Sequence, residues 1–403
     1  MHDYKEDFPL LCGSSLSYLD HAATAQRPAC VLRAEQDFYT HFNANPLRGI
    51  YSLGVEATDR YEHARETVRA FLHAGSSDEI IFTRNTTESI NLTAYSYGLT
   101  HLKSGDEILV TITEHHSNIL PWQMAARQTG ATLKYLDCEA DGSYTRESLD
   151  RAITPRTKIA AIGQVSNVLG SVNPVEEIIK RVHKVGGIVV VDGAQSTPHF
   201  KIDVTEMDAD FFAFSGHKLM APMGIGVLYG KKKLLEEMPP FLTGGEMIDS
   251  VTRQGAVYAP VPHKFEAGTV NAGGAVALER AILYMNEIGL DTIGAEEKER
   301  MQLLFGEMQQ IPHIHILGSR SAAEHHGIVS FTVDDVHPHD IASIMDEADV
   351  AIRAGHHCAQ PLLQHLGVMV SARASIAFYN TEEDIWKFIK TLKTVRERMG
   401  YGK

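Results

Sequence analysis

The tetrad Ser215-Gly216-His217-Lys218 sets an amine directly behind an apolar run at 210–214 that reads as a β-strand. An amine at a strand end stands where doubly wound sheets keep their ligands, although a solvated loop is the commoner place for a single lysine. A second carboxyl-edge group follows the run VVVD, where Asp192 projects a carboxylate from apolar surroundings. A buried carboxylate calls for a cation, and a protonated ring nitrogen is one such partner; a cap on the following turn is the alternative. Gln195, three residues on, reaches toward the same place.

Three further strand ends point the same way. The stretch Asn85-Thr86-Thr87-Glu88 has capping-box spacing ahead of a helical pattern, so free amides and two hydroxyls form a seat for a phosphate, or simply a helix cap. His115 follows the run 107–112 and can stack on an aromatic ligand, while Asn167 follows the run 158–163 and faces a substrate carboxylate. Near the other end of the chain, Arg353-Ala354-Gly355-His356-His357-Cys358 sets a thiol beside imidazoles and an arginine, the electropositive surroundings in which cysteines react. A buried structural thiol is the usual alternative. Arg373 lies in an apolar strand-like run, where an unpaired guanidinium is costly, so it requires a carboxylate from the protein or from a ligand.

The elements that must carry these groups alternate between short β-branched runs and longer helical patterns. Runs at 79–83, 107–112, 132–136, 158–163, 188–192, 210–214 and 225–229 predict a mostly parallel seven-stranded sheet. Ten residues join the last two runs, too few for a helical crossover, so the final strand is expected to be antiparallel. Glycine and proline cluster over 230–274 and predict long ordered loops. Helical patterns at 274–310, strands near 314–317, 327–333, 350–353 and 371–377, and a helix near 338–348 predict a smaller α+β domain. The division expected is 15–284 for the large domain and 1–14 with 285–403 for the small one.

With 403 residues, 44% of them apolar and 22% charged, the chain has the composition of a globular protein. Its formal charge of −14 disfavours nucleic acid as a partner. The opening residues lack a basic leader and no apolar run approaches a membrane span, so a cytoplasmic protein without membrane contact is expected. Four scattered cysteines without CxxC spacing, and histidine pairs whose rings point apart, predict neither a disulfide framework nor a metal site.

Taken together, YLDHAATAQRP, TTESINL, TEHHSNILPWQ, VSNVLG, VVVDGAQS, FFAFSGHKLMAPMGIGVLYG, GGEMI, FEAGT, RAGHHCAQPLL and RASIAFYN resemble the cysteine desulfurases of the class V aminotransferase family. The SUF-type, group II members are the most similar, and the matches span nearly the whole chain. The resemblance implies an α/β architecture, the PLP-dependent transferase fold type I, with helices on both faces of the sheet. It implies pyridoxal 5'-phosphate held by Lys218 as an imine, with His115 on the ring, Asp192 at the ring nitrogen and Gln195 at the ring oxygen. It also implies phosphate contacts from Thr86, Thr87, Ser215 and His217, with Thr269 reaching the phosphate of a neighbouring subunit in a homodimer.

By the same resemblance Asn167 and Arg373 hold the carboxylate of L-cysteine, Arg353 braces the loop, and Cys358 receives the sulfur as a persulfide. The products are L-alanine and sulfur for iron–sulfur cluster assembly, passed to an acceptor protein of the SUF system. Four residues separate Arg353 from Cys358, the short loop of group II. One departure is that Leu47 and Tyr51 stand where many SUF-type members carry histidines. The alternative readings are a selenocysteine lyase or a cysteine sulfinate desulfinase of the same family, and a catalytically idle sulfur-transfer scaffold.

Overall fold

Residues 3–402 are described by the structure, a computed structural model; residues 1 and 2 of the N-terminal piece assigned to the small domain, and residue 403, lie outside them. Seven strands make the large sheet: β1 Ile80–Thr83, β2 Glu107–Thr111, β3 Thr132–Leu136, β4 Thr157–Gly163, β5 Ile188–Asp192, β6 Phe211–Ser215 and β7 Gly226–Gly230. Their spatial order is β1-β7-β6-β5-β4-β2-β3. Neighbours from β2 to β6 pair in parallel, and β7 is antiparallel to both β1 and β6. The short link 216–225 explains the reversal, because it has room for a turn and not for a crossover helix.

Both faces of this sheet are covered, which its sequence requires, since its strands are apolar at successive positions rather than at alternate ones. Val189, Val191, Phe212 and Phe214 pack with the helices Ala29–His41, Ser52–Phe71 and Ala272–Ile288. Val190, Phe211 and Ala213 face the other way, toward Trp122 and Ala125 of the helix Leu120–Thr129. Each fully buried Val or Phe contributes about 1.5–3 kcal/mol of hydrophobic stabilisation.

A second sheet of four antiparallel strands runs, in spatial order, Ile314–Ile316, Ile328–Val333, Ser371–Ser375 and Arg353–Gly355. The helices Leu290–Met308, Pro338–Asp346 and Glu382–Leu392 close its core around Phe331 and Phe388. Two expectations change in detail. The stretch 230–274 is not loop throughout: it holds the helix Lys232–Glu237 and an exposed hairpin, Ile248–Val251 with Ala256–Tyr258. The run 350–353 divides, with Val350–Ala351 pairing in parallel with Ser17–Tyr18 and Arg353–Gly355 joining the second sheet. Both depend on pairing partners remote in sequence, which local pattern does not encode. Among the described residues no helix is long and apolar enough to cross a membrane.

Candidate active site

Where the carboxyl ends of β2, β4, β5 and β6 meet the edge of the second sheet, a cavity of about 650 Å³ opens. The large sheet lends it Lys218, Asp192, Gln195, His115, Asn167, Ser215 and His217, and the second sheet lends it Arg353, Cys358 and Arg373. Glycines let the walls close up. A Cβ on Gly193 would lie 2.0 Å from the Phe212 ring, and one on Gly226 would lie 2.6 Å from the Asn85 backbone. Gly193 thus lets the chain turn sharply after Asp192, and Gly226 lets the segment before the helix Thr86–Leu92 lie against β7.

Lys218 closes the turn Gly216–Lys218 that follows β6. Burial pushes its amine down to about 8, against the pull of Asp192 and with the help of Arg373. A much larger share of neutral, nucleophilic amine is therefore present near neutrality than on a surface lysine. Asp192 is buried, and desolvation raises its pKa although the Ala194 amide, bonded to Oδ1 at 2.9 Å, and Lys218 oppose the shift. Oδ2 accepts no hydrogen bond among the described residues, so a ring nitrogen that brings a proton or a positive charge suits the position. Gln195 donates Nε2 to the Ala22 carbonyl at 3.0 Å.

His115 is held neutral, its pKa pushed down to about 3 by burial and by Lys218, His116 and Arg373. Its Nδ1 accepts the Ser117 amide at 3.1 Å, which leaves the ring hydrogen on Nε2. A neutral imidazole stacks on an aromatic ligand without carrying charge into the cavity. On the next wall, the Asn85 side chain caps the helix Thr86–Leu92 by accepting Glu88 N–H at 3.0 Å. Thr86 N–H donates to Ser215 Oγ at 2.9 Å and the two hydroxyls lie 2.7 Å apart, while the Thr87 hydroxyl lies 2.7 Å from that of Ser117. With His217, whose pKa burial pushes down to about 4, these groups gather hydroxyls and a ring nitrogen for phosphate oxygens.

Cys358 is solvent-exposed and free, in a turn where His357 (φ 51°) and Cys358 (φ 54°) both take left-handed backbone. Two bonds fix the turn: His116 N–H donates to the Cys358 carbonyl at 2.7 Å, and Asn167 Nδ2 donates to the His357 carbonyl at 2.6 Å. Arg353 grips Asp20 through Nε and NH2, the latter at 2.8 Å from Oδ2. Arg373 reaches Asp20 Oδ1 at 3.4 Å and the Asn167 carbonyl at 2.9 Å. Arg373 Nε and Asn167 Oδ1 remain buried without partners. A buried guanidinium hydrogen without an acceptor is costly, and a ligand carboxylate is the group that satisfies it.

Thirteen residues were picked from sequence, and twelve of them line this one cavity. Thr269 does not: it is exposed and stands outside the cavity of its own chain. Leu47 and Tyr51 are likewise outside it. Sequence reasoning passed over Asp20, which joins both arginines, and Glu114, the residue before His115; their only signal was a carboxylate inside the motifs YLDHAA and TEHH. As a whole, the donor set fits pyridoxal phosphate: a buried carboxylate with one oxygen unbonded, a depressed amine, a neutral ring shelf and a hydroxyl-rich seat.

A family model described as aminotransferase class-V matches residues 17–388. The chain is 50% identical over 404 residues to a probable cysteine desulfurase of Halalkalibacterium halodurans, covering 99% of each protein. It is 48% identical over 400 residues to a probable cysteine desulfurase of Staphylococcus aureus, covering 98% of this chain and 97% of the relative. Among solved structures, the cysteine desulfurase CsdA of Escherichia coli superposes with a TM-score of 0.91 at 39% identity over 98% of both chains. The apo cysteine desulfurase of Thermococcus onnurineus NA1 superposes with a TM-score of 0.94 at 37% identity, again over 98% of both.

Proposed function

The chain belongs to the class-V aminotransferase family, and on that footing we propose that it is a pyridoxal-phosphate enzyme, a cysteine desulfurase in which Lys218 holds the cofactor and Cys358 takes up the sulfur. The observation that carries the reading is that the amine of Lys218 and the thiol of Cys358, from different sheets, line the same 650 Å³ cavity. Bound there, the cofactor supplies an electron sink that makes the Cα proton of an amino acid removable.

The protein's own groups do the rest. Asp192 carries the charge that faces the ring nitrogen, His115 covers the ring, and Thr86, Thr87, Ser215 and His217 take the phosphate. Arg373 receives the substrate carboxylate with its buried Nε–H, which lacks an acceptor, and Asn167 with the second hydrogen of Nδ2, the first going to the His357 carbonyl. Lys218, its amine pushed down to about 8 by burial, accepts the Cα proton in its neutral form. Cys358 Sγ attacks the substrate sulfur. A sulfur–sulfur bond forms as the carbon–sulfur bond breaks, and the thiol proton ends on the product, so L-cysteine and the Cys358 thiol become L-alanine and a Cys358 persulfide.

Several finer assignments belong to this proposal. The enzyme works as a homodimer, and the support is Thr269, which is of no use to its own cavity yet available to a neighbour's. The large domain is 15–284, and 1–14 with 285–403 forms the small one. The sulfur goes to an acceptor protein of SUF-type iron–sulfur assembly, supported by the exposed thiol on its short loop. A cytoplasmic setting, where thiols stay reduced, suits such a cysteine. The deciding experiment is mass spectrometry after treatment with L-cysteine. One added sulfur atom is expected on the peptide containing Cys358, with alanine released in step, and Cys358→Ala should keep the coloured cofactor while losing both. Undiminished alanine release by Cys358→Ala would overturn the persulfide route.

A further inference from the structure

One residue before the ring shelf lies a carboxyl group that the chemistry above does not use. Glu114 is 1% exposed. Its Oε1 accepts the Thr111 hydroxyl at 2.5 Å, its Oε2 accepts Asn118 Nδ2–H at 2.7 Å, and both oxygens share Gly163 N–H at 2.8 Å. The same residue is held from its other side. Asn173 donates Nδ2 to the Gly163 carbonyl at 2.6 Å and to the Thr113 hydroxyl at 3.1 Å, and Thr113 lies 2.8 Å from the Thr111 hydroxyl. A closed ring of polar contacts therefore surrounds Gly163. It joins the end of β2, which runs into His115, to the end of β4, which runs into Asn167.

No cation bonds to Glu114 among the described residues. The charged and titratable groups that face it are Asp192 at the end of β5 and Tyr144 from the loop ahead of the helix Arg146–Ala152, and His115 follows it in the chain. Burial pushes its carboxyl up to about 7, with Asp192 adding to the rise, although Thr111, Gly163 and Asn118 all favour the charged form. A protonated Glu114 fits its surroundings poorly. Gly163 N–H can only donate, and Asn118 cannot turn its amide because Asn118 Oδ1 already accepts Trp122 Nε1–H at 3.0 Å. Thr111 alone can accept the new proton, and only by turning its own hydrogen away.

We propose that Glu114 is a positioning residue whose carboxylate locks the His115 arm to the Asn167 arm, and that a proton on it slackens this lock. The inference rests on the pyridoxal-phosphate reading of the cavity. Its effect is on the placing of the ring shelf and of the carboxylate grip, not on any bond made or broken. Removing the lock should therefore disturb how the ring is held and how tightly cysteine binds, while Lys218 and Cys358 keep their chemistry.

The test uses holoenzyme and compares wild type with Glu114→Gln, which keeps the shape and cannot ionise, and with Glu114→Ala, which removes the lock. The measurement is circular dichroism of the cofactor's visible band, divided by its absorbance, from about pH 5 to about pH 9. This ratio reports the asymmetry of the ring's surroundings and is insensitive to how much cofactor is bound. Wild type should show a change with a midpoint at about 7, and Glu114→Gln should show none. Glu114→Ala should lower the ratio at every pH and raise KM for cysteine by about tenfold with a smaller change in kcat. A Glu114→Gln ratio with the wild-type midpoint would sink the proposal, and so would a wild-type ratio flat across the range. If Glu114→Ala does not fold, the comparison of wild type with Glu114→Gln still decides. Failure of the cofactor reading itself would look different, since wild type would then have no visible band.

Discussion

Asn167 donates its side-chain amide to the carbonyl of His357 over 2.6 Å, so the end of β4 holds the residue next to the thiol. The same side chain keeps a buried oxygen without a partner, and its backbone carbonyl takes Arg373 NH1 at 2.9 Å. One residue thus touches both the nucleophile's turn and the arginine that awaits a carboxylate.

Asn167→Ala should loosen both. A lost hydrogen bond to a charged group is worth about 1.5–3 kcal/mol, so KM for cysteine should rise by about tenfold to a hundredfold. Alkylation of Cys358 by iodoacetamide should also quicken. Steady-state kinetics together with mass-spectrometric timing of the alkylation check this, and an unchanged KM would refute the assignment to the carboxylate.

Asp20 is placed between two cations, Arg353 at 2.8 Å and Arg373 at 3.4 Å. Arg373 is buried, and desolvation pushes its pKa down to about 10 against the pull of Asp20. Asp20→Asn leaves that guanidinium without its carboxylate. A loss of about 2–4 kcal/mol is expected in urea unfolding, together with weaker binding of cysteine. Asp20→Glu should recover less than half of the stability, because the two arginines fix the reach.

Attachment of added cofactor to the stripped enzyme should follow the neutral fraction of Lys218. The amine is protonated below about 8 and neutral above it, so the rate of appearance of the imine band should climb about tenfold per pH unit at low pH and level off above about 8. Stopped-flow absorbance with pyridoxal phosphate reads this directly. A rise that continues to the pH of an ordinary lysine would mean that the amine is not desolvated.

Glu266 anchors the segment that ends in Thr269. It accepts Arg65 NH1 at 2.7 Å, Phe82 N–H at 2.7 Å and the Tyr61 hydroxyl at 2.9 Å. Burial alone raises its pKa, but Arg65, His263 and the Phe82 amide hold it at about 2. The stabilisation is therefore complete above the ordinary glutamate value and is lost as pH falls from there through about 2. Glu266→Gln should cost about 3 kcal/mol at neutral pH and make acid unfolding less steep, measured by urea midpoints at a series of pH values.

Strand ends were the legible part of the site. Asp192, His115, Asn167 and Lys218 each follow an apolar run that local pattern marks as a strand, and a parallel sheet brings all such ends to one edge, so their convergence follows from topology alone. The antiparallel β7 was equally plain, because a ten-residue link admits one solution. Asp20 and Glu114 were not legible, since their value lies in partners 333 and 49 residues away. The hairpin at 248–258 escaped notice for a related reason: its side chains are largely exposed, so no alternation of buried and open positions marks it.

The two left-handed residues at the nucleophile carry a further meaning. Backbone of this kind costs a non-glycine residue about 1–2 kcal/mol, and here it is incurred twice in succession. The bonds from His116 and Asn167 offset that cost, so the pose of the thiol is borrowed from residues of the large sheet and lasts only while both bonds are made.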